Sequence, residues 1–149
     1  MDKKETKKII DFASDSLVNW IYCMAIDVLN SNKYEIHRRY LYRNIKNGKY
    51  ITRRKIMVRP DKKIYQMLDG CVFFGKDVIY ISHTASDPGA ILFHEVLHIL
   101  FQVWEHNYFK QDVWGIDEDQ EVIELLEKLI WGYLTNRQKQ TIRGYLHNT

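Results

Sequence analysis

Cysteine, proline and glycine are all scarce in this chain of 149 residues, at two, two and seven. Two cysteines exclude a disulfide framework. The apolar neighbours of Cys23 and Cys71 predict reduced, buried thiols, as in a cytoplasmic protein. With only Pro60 and Pro88, no proline-rich linker exists, and both residues fall at predicted element boundaries. A long apolar run is also missing. The stretch from Leu17 to Leu29 is interrupted by Asn19 and Asp27. It falls short of the roughly 20 apolar residues of a membrane span and reads as a core helix. The N-terminus, Met1-Asp2-Lys3-Lys4-Glu5, shows no targeting signal. A net charge of +3 is too weak to argue for nucleic acid by itself. No internal repeat or low-complexity segment is present.

What is present points to one α+β domain with a core of ordinary size. Residues from about 4 to 30 predict helix, with Ile9, Ile10, Ala13, Leu17, Trp20, Ile21, Met24 and Val28 near helical spacing. Residues 34–46 are ambiguous and fit a basic helix. Tyr50–Val58 reads as a strand, Ile64–Leu68 as a short apolar piece, and Asn47-Gly48 and Asp69-Gly70 as turns. Cys71–Phe74 and Asp77–Ser82, separated by Gly75-Lys76, predict a hairpin. A short C-terminal helix follows Asn136.

The sharpest feature is His94-Glu95-Val96-Leu97-His98, an H-E-x-x-H pentapeptide. On a helix, residues four apart stand on one face, so two imidazoles can grip one Zn²⁺. Glu95, beside the first ligand, can reach a metal-bound water as general base. Chance would produce H-[DE]-x-x-H at about 0.03 per sequence of this composition. The setting favours a real site. Ser86 or Asp87 can cap the helix, Pro88 suits its first turn, and Ile91–Trp104 is apolar on most of its circumference. Two histidines and a glutamate inside such a helix are costly unless paired or bound to metal.

A zinc site of this kind requires a third protein ligand. The chain has Phe101 and Trp104 where metzincins carry glycine and histidine. The acidic run Asp117–Glu124 opens a second helix, with Asp117 as a candidate cap and Ile123, Leu126, Ile130, Tyr133 and Leu134 as its apolar stripe.

These residues resemble the zincin metallopeptidases, specifically Glu-type zincins and their compact phage and bacterial ImmA/IrrE-like members. The likeness covers roughly residues 70–135. It implies a small, mainly antiparallel sheet packed on the H-E-x-x-H helix and a following glutamate helix. It divides the chain into a helical and basic part (1–60), a zinc-binding core (64–135) and a C-terminal helix (136–149). It also implies zinc held by His94, His98 and Glu121, with Glu118 as the rival third ligand and Asp119 and His106 behind. Peptide-bond hydrolysis on an intracellular protein follows from it, with a transcriptional repressor as one substrate class. Gly70-Cys71 carries a lesser likeness to the metal-binding Gly-Cys segment of peptide deformylases, whose glutamine-bearing loop is not evident here.

A donor for the oxyanion is open among Tyr80, His83, His106, Tyr108 and Tyr133. Separately, eleven lysines and arginines lie between Arg38 and Lys63 among several tyrosines. This is a candidate patch for nucleic acid or an acidic partner, unless the acidic stretch 117–127 balances it.

Overall fold

The structure, a computed structural model, describes the backbone of residues 3–108 and 116–147 and the side chains of 16–102 and 124–147. Four helices and five strands form an α+β fold: α1 (Lys3–Asn30), β1 (Glu35–Asn44), β2 (Tyr50–Arg53), β3 (Tyr65–Leu68), β4 (Gly70–Phe73), β5 (Val78–Ser82), α2 (Pro88–Tyr108), α3 (Ile116–Tyr133) and α4 (Asn136–Gly144).

Residues 35–44 are a strand, not the basic helix that their arginines suggested. β1 is the spine of the sheet. Its first half, Glu35–Arg39, pairs in parallel with β5. Its second half pairs antiparallel with β2 and β3. The order β2-β1-β5-β4 leaves β4 at an edge, antiparallel to β5. The sheet is therefore mixed, although three of its four pairings are antiparallel. Leu41 and Tyr42, adjacent in β1, are both buried, because strands flank this half on either side and the β2–β3 connection crosses it. There Tyr42 Oη accepts a hydrogen bond from the Met57 backbone N–H at 3.0 Å. That connection leaves the ladder at Arg53, so β2 is shorter than the Tyr50–Val58 strand expected.

α2 is the core helix. Leu92, Phe93, Val96, Leu97, Ile99 and Leu100 are buried, against Ile79 and Ile81 of β5 and against α1, α3 and α4. α1 turns Val18, Ile21, Ala25 and Leu29 inward, whereas Leu17 and Trp20 are exposed. The buried stripe thus lies one position off the expected one at Leu17. Cys23 is exposed as well, contrary to its expected burial.

The start of α2 is fixed by two contacts. Asp87 caps it, its Oδ1 accepting from the Ala90 N–H at 3.3 Å, while Oδ2 meets Arg143 of α4 at 3.4 Å. Gly89 leaves room for the Arg143 side chain, which also lies over the ring of Trp131. α4 has a complete capping box from Thr135 and Gln138. Among the described residues no helix is long and apolar enough to cross a membrane.

Candidate metal centre

β5 delivers the chain through the Ser82–Asp87 turn into α2, whose outward stripe carries Ile91, His94, Glu95 and His98 along an open cleft of about 1000 Å³. Edge strand β4 and the residues just before it form the second wall, with Asp69, Gly70, Cys71 and Phe73. α3 forms the third with Glu124, Glu127 and Lys128, and Arg43, Tyr50 and Gln66 close one end.

His94 and His98 converge as the one-turn spacing requires. Their Nε2 atoms are 3.1 Å apart, with rings edge to face. Two nitrogens on one tetrahedral zinc, each at about 2.0–2.1 Å, would stand roughly 3.3 Å apart. The pair therefore already has nearly the bite of a metal-ligating couple. At this distance one of the two nitrogens donates a hydrogen bond to the other.

Glu127 adds a feature absent from the sequence reading. Its Oε2 lies 3.1 Å from His94 Nδ1, and both side chains are mostly buried. That carboxylate draws the ring proton to Nδ1 and leaves Nε2 free to donate its lone pair. This is the usual outer support of a ligating histidine. Burial pulls the His94 pKa down, but the Glu127 hydrogen bond and the charges of Glu95, Glu127 and Glu124 outweigh it, so the net shift is upward.

Glu95 is 5 % exposed. Burial pushes its carboxyl up to about 7, with Glu127 adding to the rise and His94 opposing it. Gly70 allows this packing. The β4 backbone approaches so closely that a Cβ at position 70 would stand 3.2 Å from Glu95 Oε1. Cys71, also in the cleft wall, has a thiol pushed up to about 12 by burial and by the Glu95 charge.

These residues fit a divalent metal in donor chemistry: two imidazole nitrogens at ligand spacing, one with its tautomer fixed, beside a buried carboxylate. Among the described residues no group of three His, Cys, Asp or Glu side chains is gathered closely enough to hold a metal ion. Glu121, Glu118 and Asp119 lie in the first turns of α3, which opens at Ile116, one residue before the expected Asp117 cap. Their side chains fall outside the described residues, as do those of His106 and Tyr108. Glu124, one turn after Glu121, lines the cleft.

Of the expected oxyanion donors, Tyr80, His83 and Tyr133 do not line the cleft. Tyr80 packs on Phe73 and His83 on Tyr40, while Tyr133 is exposed. Polar groups that do face the cleft include Arg43, Tyr50, Gln66, Gln102 and Lys128, of which the first three escaped the sequence reading because strand register brings them there. The i, i+3 pair Glu124 and Glu127 was the one legible signal for the α3 wall.

No protein-family model, curated protein or solved structure matches this chain.

Proposed function

We propose that the chain is a zinc-dependent metallopeptidase of zincin type, acting in the cytoplasm on an extended segment of a protein substrate. The observation that carries this reading is the 3.1 Å approach of the His94 and His98 Nε2 atoms directly beside a buried glutamate in a cleft. His94 and His98 would hold the metal, with a third carboxylate from α3. Glu124 already faces the cleft, and Glu121 lies one turn before it. When bound, zinc supplies Lewis-acid polarisation of the substrate carbonyl and of water.

The protein groups do the rest. Edge strand β4, paired on one side only among the described residues, offers main-chain hydrogen bonds to an extended peptide. That peptide would lie across the α2 stripe. Glu95, with a carboxyl near pKa 7, suits proton transfer at neutral pH: it takes a proton from the attacking water and returns it to the departing amine. Glu127 holds His94 in register throughout. The family likeness suggests a transcriptional repressor as the substrate class.

The test combines metal content with cleavage of an unfolded protein mixture read by mass spectrometry. Zinc-loaded wild type should bind about one zinc per chain and generate new termini. Glu95→Gln should keep the zinc and lose cleavage. Equal cleavage by Glu95→Gln would sink the mechanism, and failure of wild type to bind zinc would leave His94 and His98 as a hydrogen-bonded pair. Zinc content of Glu121→Ala, Glu124→Ala and Glu118→Ala names the third ligand.

A further inference from the structure

The charge of this molecule is strongly divided. Between Ile36 and Leu68 the chain carries eleven lysines and arginines against one acid, Asp61, for a formal +10, while the whole chain is only +3. The remainder is therefore −7. Those 33 residues are the lobe formed by most of β1 with β2, β3 and their connections. Nine of the eleven cations are exposed, and the two exceptions, Arg38 and Arg39, are half-buried.

Among the described residues, none of the eleven makes an ion pair. The salt bridges among the described residues join Glu35 to His37, Glu127 to His94 and Asp87 to Arg143. Of the α3 acids with described side chains, Glu127 pairs with His94 and not with the lobe. A concentration of like charge destabilises the fold through self-repulsion, so a polyanionic partner has much to gain there.

We propose that the β1–β2–β3 lobe is a nucleic-acid-binding surface that engages the phosphate backbone without reading sequence. Three observations favour nucleic acid over an acidic protein. Six of the eleven cations are arginines, whose planar fork matches phosphate oxygens. The charges are spread over β1, β2, the turn between them and the Arg53–Lys63 connection, which suits a linear polyanion rather than a single acidic side chain. Aromatic and apolar groups stand among them. The Tyr50 ring is 47 % exposed beneath the Arg43 guanidinium, and Ile56 and Val58 are exposed on the Arg53–Lys63 connection. Base stacking uses such rings. Arg43 and Tyr50 also line the cleft, so bound nucleic acid would run up to its mouth.

The test is fluorescence anisotropy of the full chain with labelled single-stranded and duplex oligonucleotides of random sequence, across a salt series. Parallel arms use polyglutamate and phosphatidylserine-containing vesicles. Binding should lie in the micromolar range at physiological salt and weaken with a log–log slope of about 0.9 per phosphate contact on duplex. Reversal of Arg53, Arg54 and Lys55 to glutamate should weaken binding at least ~10-fold and lower that slope by nearly three. Lys33→Glu with Arg137→Glu, outside the lobe, should leave it unchanged, with circular dichroism checking the fold of both variants. No binding at low salt, equal loss in the control variant, or tighter binding to polyglutamate or vesicles overturns the proposal. Neither result bears on peptidase activity.

Discussion

The backbone of Gly70 lies directly against the side chains of Ile91 and Glu95. A methyl group at position 70 would stand 2.6 Å from Cγ2 of Ile91 and 3.2 Å from Oε1 of Glu95. Gly70→Ala must therefore push β4 and α2 apart. We expect a loss of roughly 1–3 kcal/mol in urea unfolding, the usual range for overpacking, together with weakened cleavage. Gly75→Ala, which meets no atom within 4 Å, is the neutral control.

Glu127 meets Nδ1 of His94 at 3.1 Å. Its replacement by alanine should weaken zinc affinity about 10–100-fold in a chelator competition. Glu127→Gln, whose amide oxygen can still accept the Nδ1 proton, should recover part of that loss. Equal affinity in all three proteins would mean that the contact orients nothing.

The metal-free protein should be less stable at pH 8 than at pH 5.5. The folded-state pKa of Glu95 is raised from 4.5 to about 7, and that of His94 is raised from 6.5. Between about pH 4.5 and 7 the folded state therefore holds more protons at these groups than the unfolded chain does, and stability falls as pH rises through that window. Thermal melts in chelator should show this slope, and Glu95→Gln should flatten it. Zinc affinity should run the opposite way, rising with pH as the His94 imidazolium, whose pKa is raised, gives up its proton.

Thiol chemistry should separate the two cysteines. Cys71, with its thiol pushed up to about 12, stays protonated and slow to alkylate in the folded protein. Exposed Cys23 should react under the same conditions. Timed iodoacetamide labelling followed by peptide mapping tests this. Rapid native labelling of Cys71 would place it in a different environment from the cleft wall described.

The H-E-x-x-H helix, its Asp87 cap and the β4–β5 hairpin were legible because each is a local pattern: one-turn spacing, a capping residue before proline, two β-branched runs around a turn. β1 was not. Consecutive burial of Leu41 and Tyr42 erases the alternation that marks a strand, and arginine is a good helix former. The position of β4 at the sheet edge was hidden for another reason. Strand order depends on the β1–β5 pairing, between residues more than forty apart in the chain. The same applies to the cleft end made by Arg43, Tyr50 and Gln66, which are three ladder neighbours from three strands. The convergence of His94 and His98 followed from helical spacing alone. The Glu127 support needed the packing of α3 on α2.

The parallel pairing of β1 with β5 also divides the sheet by the order in which its strands leave the ribosome. β1, β2 and β3 can close into an antiparallel unit as soon as they emerge, through short-range contacts. The half of β1 that will meet β5 must then wait for residues 78–82 to arrive. With β3 already paired to β1, only residues 69–77 separate that unit from β5, so this second closure is short. The placement of the histidine-bearing helix, launched from β5, thus depends on that closure, whereas the cationic lobe needs only the pairing of β1, β2 and β3.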